Sequence, residues 1–359
     1  MQIDIHHTGV YVLCRLAGMQ STYARIVAYS SQQVDDATHG RVLVFTNGDV
    51  FRQTMTAHKA LSKKNTDVSD ALEVWMPFHF LPSADETNGK DPFVTTPDSK
   101  ALDLLLEDLH KESDLALYRL GIGLHCFADT FSHQDFKGFY DSYNNVELSV
   151  DWDETNLKDK LSLLFFQLLD IFRSDAFAIG HGQVLANPDI PFVNWSYIRD
   201  GEAIKVNNLE ERFLPGLQKM YEYLVSYVSR HSKYSSGVCA RPFTEYKEIF
   251  KKLLSFQCDS EERHRNWLGH IHLDGFSFED FDETDKSLSY DPREWFNEAV
   301  EKEKVDLRNR WHYRLYNYYK FSKKQGFNDS HWVKYMQAAN QHKQAIIYEI
   351  LPRSGVNIG

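Results

Sequence analysis

Apolar residues recur along this chain mostly at intervals of three and four, the period of a helix with one buried side. Thr8–Leu16 carries Val10, Val12, Leu13 and Leu16, and Gly18 follows as a natural C-cap. Ser21 or Thr22 is placed to cap a second helix running to about Ala37. Arg41–Phe45 reads as a short strand followed by an Asn47-Gly48 turn, and Thr54–Lys63 as a short helix. Trp75–Leu81 is aromatic and broken by proline, and Ser83–Pro97 is loop. Strong helices follow over Asp98–His110, Leu115–His133, Leu157–Ile179 and Leu209–Arg230. Weaker ones follow over Phe243–Phe256, Asp259–Leu268, Pro292–Phe321 and Ser330–Leu351. The pattern predicts an all-α protein with minor or no strand. Residues 1–235 are expected to form a metal-binding helical catalytic core and 236–359 a C-terminal helical extension packed on it, or the two a single domain.

Composition narrows the class. The chain has 359 residues, 25 % charged and 42 % hydrophobic, which excludes disorder. With 40 Lys and Arg against 51 Asp and Glu the net charge is −11, a poor footing for gripping duplex DNA by its phosphates. No apolar run reaches the 18 or so residues that span a bilayer. The start, MQIDIHHTGVYVLCRLAG, lacks the layout of a Sec signal. The expected location is cytoplasmic, or exported without an N-terminal Sec signal. Of four cysteines, Cys14 and Cys126 read as core residues, and a Cys239–Cys258 disulfide is not expected.

The sixteen histidines supply the chemistry. In GIGLHCFADTFSH, His125, Asp129 and His133 are spaced four and four, so all three project from one side of a helix. Their neighbours Ile122, Leu124, Phe127 and Phe131 are apolar. Burying imidazole and carboxylate among them is costly unless a cation or a tight hydrogen-bond set compensates. Elsewhere the chain offers Asp4, His6 and His7 at its start, Asp35 and Asp36 closing the second helix, His79 in PFHF, His181 between two glycines, and Asp189 after a proline. Singly, each reads as readily as a surface or core residue. Their order along a helical chain is what makes the set specific.

That order resembles the zinc-dependent phospholipase C and trinuclear-zinc nuclease superfamily over roughly residues 1–200. It also resembles a bacterial family of unknown function with the same IDxHH…LAG, VDD, FHF and GHG…PD layout. The resemblance implies a helical bundle of that type, with His6 (or His7), Asp35 (or Asp36), His79, His125, Asp129, His133 and His181 as metal ligands. It implies Zn²⁺, one to three ions, with two expected. Three departures stand out. The superfamily ligates metal through the amino group of a mature N-terminal Trp, whereas this chain begins Met1-Gln2; that ligand is therefore expected to be absent, with Asp4 in its stead. The residue four past His181 is Leu185 rather than Glu, which leaves Asp189 as the nearest acid. His133 falls four residues after Asp129 rather than six, where Asp135 stands.

The implied activity is phosphodiester hydrolysis of the phospholipase C kind. Zn²⁺ lowers the pKa of a bound water to about 7. Asp129 is expected to bridge two ions, and Asp35 to ligate or to orient the water as a base. A phospholipid, a nucleotide or a single-stranded nucleic acid would suit such a centre. The acidic chain ranks lipid or a small phosphodiester above nucleic acid. Trp75, Phe78, Phe80, Trp195 and Tyr197 could face a substrate or fill a core. The stretch Arg308–Tyr319 could touch a membrane surface. The competing reading is a non-catalytic protein whose metal fastens helices. An HD-type phosphohydrolase is not expected, because no His-Asp dipeptide occurs.

Overall fold

A computed structural model describes residues 1–58, 71–84, 91–149, 180–304, 319–356 and 358. The expected helix over Leu157–Ile179 lies outside them, as does most of Arg308–Tyr319. Helices dominate. A π-helical turn, Asp4–Gly9, runs into α1 (Val10–Leu16), and α2 spans Ser21–Asp36. A short α3 (Met76–Phe78) precedes α4 (Lys100–Asp108) and α5 (Ala116–Ser132). Then come α6 (Leu214–Arg230), α7 (Lys247–Leu254), α8 (Ser260–His272), α9 (Glu283–Lys286), α10 (Glu294–Ala299), α11 (His331–Ala345) and α12 (Leu351–Ser354).

The first helix ends as its sequence requires. Gly18, at φ +87°, lets the Met19 and Gly18 amides reach back to the Cys14 and Arg15 carbonyls, a Schellman closure. The second begins differently from expectation. Gln20 is its N-cap and gives no side-chain bond, while Ser21 Oγ donates to Asp282 instead. At the heart of the molecule α5 is buried along its whole length. It lies against α2 at Gly121, where an added Cβ would stand 2.3 Å from the Val27 carbonyl oxygen. The missing side chain is what lets the two backbones close.

The protein is mostly helical but not purely all-α. Strands β1 (Val42–Val44) and β2 (Val50–Arg52) form the hairpin announced by Asn47-Gly48. Strands β3 (Glu147–Ser149), β4 (Asn194–Arg199) and β5 (Glu202–Asn207) form an antiparallel sheet. Its tight turn, Asp200-Gly201, is a hairpin signal between alternating segments that the helical reading passed over. The helix expected over Pro292–Phe321 is instead α10 followed by β6 (Val300–Lys304), which pairs with β7 (Tyr319–Lys323). Thr54–His58 forms no helix, and the remainder of the helix expected over Thr54–Lys63 lies outside the described residues.

C-terminal residues share cores with the N-terminal helices. One core joins α1, α2, α4, α5 and α6 to Phe250, Trp267 and Ile346. A second joins Tyr29, Val34, Phe78 and Ile122 to Trp295, Trp332 and Tyr335. Charge stitches the same halves together. Arg15 is sandwiched between Asp280 and Asp285, and Asp285 also accepts from the Tyr11 hydroxyl at 2.6 Å. The four cysteines are free thiols.

Candidate metal centre

Helix α5 turns His125 and Asp129 into the interior beside α2, and His133 sits at its C-cap. The turn after α3 brings His79 to the same point, and the Asp4–Gly9 turn brings His6. Asp35, in the last turn of α2, closes one side; His181 and Asp189, from two 3₁₀ turns, close the other.

Asp129 stands at the middle with both oxygens engaged. Its Oδ2 is 3.1 Å from His79 Nδ1, 3.2 Å from His125 Nε2 and 3.6 Å from His133 Nδ1. Its Oδ1 is 3.2 Å from His6 Nε2 and 2.6 Å from the Met1 amino nitrogen. Asp35 Oδ1 lies 3.7 Å from His125 Nε2 and 4.0 Å from His79 Nδ1. On the far side Asp189 lies 3.1 Å from His133 Nε2, 3.4 Å from His181 Nε2 and 2.9 Å from the Met1 nitrogen. Among the described residues three groups result whose donor atoms lie within 4.8 Å of one another: His6–His125–Asp129, Asp35–His79–His125 and His133–His181–Asp189.

The far side of each ring is as informative as the near side. His125 Nδ1 is bonded to the Ser31 carbonyl at 2.9 Å, and His79 Nε2 to the Thr56 carbonyl at 2.9 Å. His133 Nδ1 is bonded to the His79 carbonyl at 2.9 Å, and His181 Nδ1 to the Leu185 carbonyl at 2.7 Å. A carbonyl can only accept, so these four nitrogens carry the ring protons. In the neutral rings the other nitrogens turn lone pairs toward carboxylate oxygens. Acceptor faces acceptor at about 3 Å, a clash that a proton or a metal cation resolves. Outer partners of this kind are what fix metal-ligating imidazoles. His6 sharpens the point, since its ring is fully buried, stacked 3.7 Å over His125, and hydrogen-bonded at neither nitrogen.

Electrostatics agree with a cation-seeking centre. Burial alone would raise the Asp129 carboxyl, but His133, the Met1 ammonium and His125 outweigh it and hold it well below the usual carboxylate range. Burial, with His125 beside it, pushes His6 well down, and burial pushes His181 down to about 4. The Met1 ammonium rises to about 11, because the charges of Asp129 and Asp189 more than offset its burial. A divalent cation fits this donor set of imidazole and carboxylate.

The structure separates the paired candidates. His6 reaches the centre, while His7 turns to His264, 3.0 Å away. Asp35 reaches it, while Asp36 accepts from the Tyr290 hydroxyl at 2.6 Å. Asp4 does not take the place of an amino-terminal ligand; it pairs with Arg263 at 2.7 Å. The amino group itself does arrive, contrary to expectation, held by Asp129 and by Ser132 Oγ at 2.9 Å. Nothing in the residue types announces this, because the α-amine is common to every chain. Arg212 is a second group the sequence did not single out. Its buried guanidinium donates to the Ser132 carbonyl at the end of α5. The aromatics are core: Phe80 stacks on His133 at 4.6 Å and joins Trp195 and Tyr197, and Phe78 packs in the second core.

A model of a family of unknown function, DUF6765, matches residues 1–350. The chain belongs to that family. No curated protein and no solved structure matches it.

Proposed function

We propose that this chain is a metal-dependent hydrolase of phosphodiester bonds, phospholipase C-like, with Zn²⁺ as its metal. The observation that carries the reading is the set of four imidazoles, each tied to a carbonyl at one nitrogen and turned toward a carboxylate with the other. Two ions are the natural number. Asp35, His79 and His125 with Asp129 Oδ2 would hold one. His133, His181 and Asp189 would hold the other, with Asp129 standing between the two sets. His6 and the Met1 amine stand at Asp129 Oδ1. Bound there, Zn²⁺ would supply a water with a pKa near 7 and a Lewis acid for a phosphoryl oxygen.

The chain's own groups divide the remaining work. Asp129 places both sets of donors around one carboxylate and so fixes their separation. The carbonyls of Ser31, Thr56, His79 and Leu185 hold the rings in register. The Asp35 side chain is 36 % exposed, against 1 % for Asp129. It is therefore the carboxylate placed to meet an entering water, as a ligand or as the base that orients it. A purely structural site would enclose all of its ligands, and this exposure favours an open one.

Elemental analysis of protein purified without chelator should find about two zinc ions per chain, and His125→Ala with Asp129→Ala should lose them. Metal-loaded protein is then offered bis-p-nitrophenyl phosphate, phosphatidylcholine and single-stranded DNA. Turnover of the first two supports the reading, and preference for DNA replaces it with a nuclease. Bound metal with no turnover of any of the three would leave a metal that only fastens helices.

A further inference from the structure

Helix α2 closes on Gln32-Gln33-Val34-Asp35-Asp36, and Gln32 is 5 % exposed. Asp35 and Asp36 stand three and four positions after it, the spacings at which side chains meet on a helix. The Gln32 amide nitrogen lies 3.4 Å from Asp35 Oδ2 and 3.2 Å from Asp36 Oδ2. That nitrogen carries two hydrogens, one for each carboxylate. The reverse orientation of the amide would set its oxygen against two carboxylate oxygens, acceptor against acceptor. As it stands, the Gln32 oxygen is buried and accepts no hydrogen bond among the described residues.

The two oxygens of Asp35 are thereby divided. Oδ2 faces the amide, and Oδ1 faces His125 Nε2 and His79 Nδ1. Asp36 is anchored in turn. The same Oδ2 that faces Gln32 accepts from the Tyr290 hydroxyl at 2.6 Å. Tyr290 lies between α9 and α10, and its ring packs on Tyr29 and His7 with centroids 4.9 and 5.1 Å away. Burial, with Asp36 beside it, pushes this hydroxyl well above its ordinary pKa, so it stays a donor.

We infer that Gln32 is a positioning residue of the metal centre: its amide, braced on Asp36, holds Asp35 Oδ2 so that Oδ1 stays turned to the cation bound with His79 and His125. Asp35 needs such a hold, because it is the exposed carboxylate of the centre and sits in the last turn of its helix. A surface glutamine would make the same helix-end pairs without the penalty of a buried, unpaired oxygen. The burial is intelligible where the amide fixes a ligand, since ligating carboxylates are themselves oriented by outer hydrogen bonds.

The inference rests on the metal-centre part of the hydrolase reading and needs no turnover for its test. The full chain is titrated with zinc against a chromophoric chelator, with circular dichroism as the check on folding. Gln32→Met is unbranched, of similar length, and without either donor. It should weaken one of the two ions about tenfold and leave the other as in wild type. Gln32→Leu, which also lacks the donors, should do the same. Asp36→Asn keeps an oxygen for both donors and should bind as wild type does. Asp35→Asn with Gln32→Met should bind zinc no more weakly than Asp35→Asn alone, because the amide acts only through Asp35. A glutamine that merely packs the helix end would add its own loss in that double variant. Wild-type zinc affinity in the folded Gln32 variants overturns the inference, and so does an additive loss in the double variant. Affinities that behave as stated, with no phosphodiester turnover by wild type, remove the hydrolase and keep the role of Gln32. Wild type that binds no zinc overturns both.

Discussion

Replacing Gly121 by alanine tests whether the close approach of two helices builds the metal centre. On helix propensity alone the change should stabilise α5 by about 1 kcal/mol. The packing predicts the opposite sign. The new Cβ would lie 2.3 Å from the Val27 carbonyl oxygen and 2.6 Å from Ser30 Cβ, where ordinary contact begins at 3.4 Å. Neither atom can rotate away, since one is backbone and the other is fixed to it. The helices must part by about 1 Å, at an overpacking cost of about 1–3 kcal/mol. Parting stretches the 2.9 Å bond from His125 Nδ1 to the Ser31 carbonyl, one turn along, which forfeits about 1 kcal/mol more. Offset by the propensity gain, the net is a loss of about 1–3 kcal/mol. Loosening the group that orients His125 should also weaken metal binding by about 10–100-fold. Urea unfolding and competitive zinc titration measure the two effects. Gly269→Ala is the control: it lies inside α8 with nothing within 4 Å of an added Cβ, so it should gain about 1 kcal/mol. If Gly121→Ala gains stability as Gly269→Ala does and binds zinc like wild type, the argument from packing to site is wrong.

Other outcomes rest on the same geometry. Asp35→Asn should weaken zinc binding about tenfold or more, whereas Asp36→Asn, at a carboxylate bonded to Tyr290, should leave zinc affinity unchanged by titration. Joining a residue to the Met1 nitrogen replaces a buried ammonium by an amide and leaves Asp129 and Asp189 without that partner. This should cost about 3 kcal/mol or more in urea unfolding and lower metal content, while a C-terminal tag should do neither. His342 is fully buried, and burial, with Arg119 beside it, pushes its pKa down to about 3. It folds neutral, so its contribution is complete above the ordinary value of 6.5 and declines as pH falls toward 3. Wild type should therefore lose about 2 kcal/mol relative to His342→Gln between pH 8 and pH 5, read from urea midpoints. An unchanged difference would show that the ring is not held neutral.

Much of the centre is legible in residue spacing. His125, Asp129 and His133 share a helix, and a helix fixes the angle between positions four apart whatever surrounds it. The candidates scattered over Asp35, His79, His181 and Asp189 meet this trio. No rule of spacing places them there, because they come from separate elements. The hairpin at Asn47-Gly48 is equally local, and Asp200-Gly201 yields the β4–β5 hairpin by the same rule. The strands β6 and β7 are not legible. Their sequences are rich in charge and aromatics at spacings that also suit a helix, and only pairing across the intervening chain decides between the two.

What the sequence determined by itself was therefore the helical character of the chain and the one face of α5 that gathers imidazole and carboxylate. The tertiary structure decided which member of each adjacent pair takes part. Consecutive residues on a helical turn point in different directions, so His6 and Asp35 can enter the centre only while His7 and Asp36 turn to His264 and Tyr290. It also decided which nitrogen of each ring faces inward, because that depends on carbonyls from distant segments. The amino group of Met1 owes its place to the same cause: where α1 packs, the start of the chain falls between two carboxylates.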